Sequence, residues 1–144
     1  MKKLLPLFLL ALFCGCVSMT GTYSYIPVGP QNLSQTITDS KTMPVYVARE
    51  DITRPWAGLG LMRIKNLPND RTVIAGEIEK LKLEAAKKGA DALIINQYFE
   101  ENAPTMKYPV TIAAYLVKYL DELSEADQLK VQQFAQQAAM ENAK

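Results

Sequence analysis

Few side chains in this chain could do covalent chemistry, and two of them, Cys14 and Cys16, stand one residue apart at the end of an apolar run. A thiol can take a lipid, a metal ion or a second thiol, and its surroundings decide which. Imidazole cannot assist, because the 144 residues include no histidine. The usual zinc ligand sets and the Cys-His and Ser-His catalytic arrangements therefore cannot be assembled. The remaining acid-base candidates are carboxylates, chiefly Asp91, Glu100 and Glu101. Asp91 falls where a helix gives way to a strand and is expected to cap that turn, while Glu100-Glu101 reads as a solvated turn. No catalytic residue, no metal site and no enzymatic activity are expected.

Cys16 is set apart by what precedes it. Met1-Lys2-Lys3 is followed by an apolar run from Leu4 to Cys14, interrupted by Pro6, and then by Gly15 and Cys16. Basic residues, a short apolar core and a small residue make a secretory signal, and the run is well short of the roughly 20 residues of a membrane-spanning helix. The sequence Leu12-Phe13-Cys14-Gly15-Cys16 resembles the lipobox of bacterial lipoproteins, although Phe13 and Cys14 stand where that motif most often has Leu and a small residue. The resemblance implies cleavage between Gly15 and Cys16, diacylglycerol on the Cys16 thiol, and a fatty acyl group such as palmitate on the new amino terminus. The alternative is a plain secreted protein with incidental cysteines, or a Cys14/Cys16 pair that binds metal or forms a disulfide. Two cysteines one residue apart inside or beside an export segment make a poor framework for either. The covalent lipid is the only bound group expected.

Removing residues 1 to 15 leaves 129 of the 144 residues, enough for one domain and a tether. That mature chain has 14 basic and 15 acidic side chains, with no clustered basic face to suit nucleic acid. Residues 16 to 42 are rich in Ser, Thr, Gly, Pro, Gln and Asn and read as a lipidated flexible tether. Such a length would average roughly 30 Å end to end as a coil. Tyr23, Tyr25 and Ile26 interrupt it and are expected to pack on the domain, with a short edge strand or a partner contact as alternatives.

An α+β domain is expected over residues 43 to 122, followed by a C-terminal helix over 123 to 144. Strands are predicted at Pro44 to Ala48, Leu59 to Lys65, Ala92 to Phe99 and Tyr108 to Leu120, from their β-branched and aromatic content. Between the second and third, Ile74, Ile78, Leu81 and Ala85 recur as one buried helix stripe, with Asp70 or Thr72 able to cap its start and Gly89 its end. The result is a small, mostly antiparallel sheet packed against one central helix. In the last strand Val110, Ile112, Ala114 and Leu116 share one face. The other carries Thr111, Ala113, Tyr115, Val117 and Tyr119, too apolar to be left to water, so a covering element or subunit is implied. Ser124 opens the last helix, whose stripe of Val131, Phe134, Ala135, Ala138 and Ala139 would cover the final strand or pair with another helix.

The segment Leu81 to Ile94, with its helix, Gly89-Ala90-Asp91-Ala92 and strand, is similar to a signature of the YbjQ-like proteins and the Rcs stress-sensor (RcsF-like) lipoproteins. Pro55 to Gly60 and Ile112 to Tyr115 extend the similarity across roughly residues 44 to 120. The resemblance implies a fold and a lipid-anchored envelope location; Val17 after the cysteine would favour the outer membrane, facing the periplasm. The Rcs sensor has periplasmic disulfides, which the mature chain lacks, so redox-tuned signalling is not implied. The expected function is a non-enzymatic protein-interaction or envelope-stress/assembly module, bound to membrane through its lipid and to an envelope protein or itself. Leu83, opposite the helix stripe, and Tyr115, Val117 and Tyr119 are the candidate interaction surface. The alternative is a small-ligand lipoprotein with Tyr46, Trp56 and Tyr98 as pocket walls.

Overall fold

A computed structural model describes residues 21–34, 38–99 and 109–142. Gly15, Cys16, Glu100 and Glu101 lie outside the described residues. The chain forms a five-stranded sheet in the order β1-β3-β5-β4-β2, with β1 at Thr22–Pro27, β2 at Val45–Tyr46, β3 at Trp56–Leu67, β4 at Ala92–Phe99 and β5 at Val110–Tyr119. All neighbours are antiparallel except β2 and β4, which run parallel. Two helices, α1 at Arg71–Lys87 and α2 at Glu125–Glu141, complete the expected α+β fold.

Helix α1 begins where Asp70 accepts from the backbone N–H groups of Thr72 and Val73. It stops at Gly89, whose φ of 81° is left-handed. There the Gly89 N–H donates to Ala86 and the Ala90 N–H to Ala85, closing a Schellman turn. The predicted stripe is the buried one: Leu81 and Ala85 are inaccessible, and Ile74 and Ile78 are half-buried against the same core. They meet Met62, Ile64, Leu93, Ile95, Ile112, Ala114 and Leu116 from the sheet. Burying one side chain of Leu81's size contributes about 1.5–3 kcal/mol.

Part of the stretch expected to be a tether, residues 16 to 42, belongs to the sheet. Residues 22–27 form the edge strand β1, with Thr22 opposite Lys65 and Pro27 opposite Gly60. The alternation of Tyr23 and Tyr25 explains why: both face the α1 side and pack on the core, while Thr22, Ser24 and Ile26 are exposed. Ordered structure therefore precedes Met43 by some twenty residues, and Met43 itself is buried. The first predicted strand shrinks to Val45–Tyr46, because the chain then turns through Arg49–Asp51 and lays Ile52 across the second face. Strand β3 extends beyond its predicted limits to Trp56–Leu67, with register shifts at Gly58/Gly60 and Ile64/Leu67.

That second face is covered as its composition requires, by the chain itself. Ile52 and Trp56 pack with Tyr46, Ile94, Tyr115, Val117 and Tyr119. Helix α2 does not cover β5. Asp127 is its buried residue among those described, Val131 and Ala138 are half-buried, and the rest of the predicted stripe is exposed.

Candidate functional site

Residues 28–34 and 38–44 lie in the chain between the edge strands β1 and β2, and both stretches are pinned to the domain. The N–H groups of Val28 and Gly29 donate to the Leu59 carbonyl at 3.1 and 3.2 Å. The Gln31 side chain reaches the Gly29 and Leu59 carbonyls, and its oxygen accepts from the Tyr25 hydroxyl. Ser34 N–H donates to Asp127 Oδ2 at 2.9 Å, Thr38 Oγ1 to Asp91 Oδ1 at 3.0 Å, and Leu93 N–H to the Pro44 carbonyl at 3.0 Å.

Asp91 does not cap the helix-to-strand turn as predicted. Its Oδ1 accepts from Lys118 Nζ at 3.0 Å as well as from Thr38, and its Oδ2 from the Tyr119 N–H at 2.9 Å. Lys118 and Asp91 are 1% and 3% exposed, so the pair is closed to a substrate and acts as an internal clamp. Lys118 was legible in principle: it continues the face of Val110, Ile112, Ala114 and Leu116, where a charge requires a buried partner.

The candidate pocket walls do not share one pocket: Tyr46 borders a groove beside β4, while Trp56 packs in the cluster on the second face. Tyr46 and Tyr119 hydroxyls are 3.0 Å apart, and Ile52, Ile94 and Val117 fill the space between them and Trp56. Burial pushes the Tyr119 phenol upward, and its bond to Tyr46 adds to the shift. The Arg54 guanidinium lies 4.0 Å from the centre of the Tyr119 ring and binds Asp121 and Glu122. Val117 and Tyr119 are thus core residues and no interaction surface; Tyr115 is half-buried under Arg49. Leu83 is exposed as expected, at 51%. Strand β4 carries Tyr98, paired with Thr111 and remote from Trp56 in the register; its side chain lies outside the described structure.

Open surfaces lie elsewhere. Helix α2 is held at its first turn: Ser124 caps it, and Asp127 accepts from Ser34 and from Lys130, whose Nζ also donates to the Asn32 carbonyl. The Lys130 and Ser34 hydrogen bonds hold the Asp127 carboxyl well below the usual range. Beyond that turn, Leu129, Phe134 and Met140 are exposed, and a groove of about 450 Å³ separates Gly29 to Asn32 from Lys130, Gln133, Phe134 and Gln137. A second groove of about 450 Å³ runs beside β4, between Ile78 of α1 and Val45, Tyr46, Val47 and Ile95, so Tyr46 is the predicted pocket wall that borders open space. Sequence periodicity marked Phe134 but not Val47, whose 76% exposure follows from the early departure of β2 from the sheet. Among the described residues no group of acidic or sulfur side chains is placed to hold a metal ion, and no helix is long and apolar enough to cross a membrane.

No protein-family model matches the chain, and no curated protein matches it. Among solved structures, the crystal structure of a Francisella virulence factor, FvfA, is similar at 17% identity with a TM-score of 0.48, over 66% of this chain and 95% of that one.

Proposed function

We propose that this chain is a lipid-anchored bacterial envelope protein whose domain is a non-enzymatic protein-interaction module, serving envelope stress sensing or assembly. Its place is the outer membrane, facing the periplasm, and its attachment is the lipid on Cys16. The observation that carries the interaction reading is the state of α2. This 17-residue helix is tied to the domain near its first turn, and Leu129 and Met140, about three turns apart on one side, stay exposed with Phe134 on another side, apolar area that a partner would cover. The lipobox resemblance supports the anchor, and the similarity to YbjQ-like and Rcs-sensor proteins supports the envelope setting.

Two measurements test it. Metabolic labelling with a palmitate analogue must mark the wild-type protein and leave Cys16→Ser unmarked; an unlabelled wild type removes the anchor. A photo-crosslinking residue at Leu129 in living cells must give a discrete protein adduct that Met140→Asp, on the same side of the helix, abolishes. Adducts indifferent to Met140 would overturn α2 as the docking element.

A further inference from the structure

We propose that the end of the sheet where Gly21 and Thr22 begin the domain rests on the anchoring bilayer, with Lys65 and Arg71 against lipid phosphates. This orientation builds on the lipid-anchor reading above.

Its first support is the length of chain available. Five peptide steps join Cys16 to Gly21, and each spans at most about 3.6 Å, so the two α-carbons lie within roughly 18 Å whatever path the chain takes. Gly21 has little freedom to move away from the sheet. A Cβ on it would lie 2.6 Å from the Lys65 carbonyl oxygen and 2.7 Å from Ile64 Cγ2, and β1 pairs with β3 from Thr22 onward. Lengthening the tether would mean stripping β1 from the sheet and exposing Tyr23 and Tyr25, which pack on the core.

The register defines what shares that end. Thr22 is opposite Lys65, Leu67 opposite Val110, and α1 starts at Arg71 a few residues after β3 finishes. Pro27, Trp56, Tyr119, the last turn of α1 and the start of α2 belong to the other end. Strand β1, from Thr22 to Pro27, separates the two by about 17 Å.

The chemistry of the near end suits a phosphate surface. Lys65 and Arg71 are exposed, and neither has an ion pair among the described residues. Of the carboxylates at this end, Asp70 accepts from two backbone N–H groups, and Glu100 and Glu101, which follow Phe99, lie outside the described residues; Thr22, Asn66 and Asn69 are exposed and uncharged. Each basic side chain within about 10 Å of an anionic surface raises partitioning about fivefold. The lipid supplies attachment, and these two cations supply orientation. The groove between Asn32 and α2 then faces away from the anchoring membrane, and a partner of α2 approaches from the aqueous side.

The test uses the full-length lipidated protein in phosphatidylethanolamine/phosphatidylglycerol vesicles carrying a headgroup nitroxide lipid. Because acylation occupies Cys16, an introduced cysteine is the reactive thiol of the mature chain; a fluorophore is placed at Asn69→Cys or at Glu125→Cys. Quenching should be at least threefold stronger at position 69 than at 125. It should fall at least twofold at 69 when Lys65→Glu and Arg71→Glu are combined, or when phosphatidylcholine replaces the anionic lipid. Equal quenching at both positions, or quenching at 69 indifferent to charge, would overturn the orientation. Palmitate-analogue labelling of the same sample separates the two levels: a labelled protein with equal quenching sinks the orientation alone, and an unlabelled one sinks the anchor with it.

Discussion

Lys118 Nζ lies 3.0 Å from Asp91 Oδ1, and both side chains are withdrawn from water where β5, the start of β4 and Thr38 meet. Removing one member of a buried pair leaves an uncompensated charge and costs about 3–5 kcal/mol. Asp91→Ala is expected at the upper end of that range, because Thr38 and the Tyr119 N–H lose their acceptor too. Lys118→Met should cost less, since the carboxylate keeps those two donors. Urea unfolding of the two variants checks the order; an Asp91→Ala protein as stable as wild type would refute the clamp.

Asp127 ties the first turn of α2 to Ser34, and its carboxyl is held below the ordinary range by the Lys130 hydrogen bond first and the Ser34 bonds next. A carboxyl depressed in the folded state contributes stability that is present above its unfolded pKa of about 3.9 and is lost as pH falls through the folded value. Stability measured from pH 5 downward should therefore decline more steeply for wild type than for Asp127→Asn. Parallel curves would show that the bond to Ser34 does not hold the helix.

Tyr23 packs on the core with a buried hydroxyl that has no hydrogen-bond partner among the described residues. Burial, with the Glu84 charge as the next cause, pushes its phenol up to about 12. The neutral form is thus the folded one. Its contribution holds below about pH 10 and is lost as pH rises toward 12. Tyr23→Phe removes an unsatisfied group, so it should leave stability at pH 7 unchanged or raise it by up to about 1 kcal/mol. It should also soften the alkaline loss, readable by thermal melts between pH 8 and pH 11.

Two glycine-to-alanine changes should act in opposite directions. A Cβ on Gly76, within α1, meets nothing within 4 Å, so Gly76→Ala should stabilise by about 0.5–1 kcal/mol through helix propensity. A Cβ on Gly29 would sit 2.0 Å from the Gly58 carbonyl oxygen, and the backbone would have to move. Gly29→Ala should cost about 1–3 kcal/mol, as overpacking does, and weaken the bonds to Leu59. Thermal denaturation of both proteins gives the comparison.

The sequence alone determined what local patterns determine. The α1 stripe, its Asp70 and Gly89 ends, the long strand β5 and the need to cover its second face all follow from side-chain period and backbone preference, which act within a few residues. The resemblance of the stretch around Cys16 to a lipobox is likewise a reading of a linear motif. Long-range pairing decided the rest. Residues 22–27 have the composition of a tether and become a strand because β3 offers an edge and the core accepts Tyr23 and Tyr25. Trp56, read as a pocket wall, and Tyr119, read as interaction surface, come together under Ile52 on the second face. Asp91 and Lys118 are 27 residues apart in the chain, and only the antiparallel pairing of β4 with β5 brings their charges together. Composition limits what each segment can do, but burial is a property of its neighbours, and those neighbours are chosen by the tertiary fold.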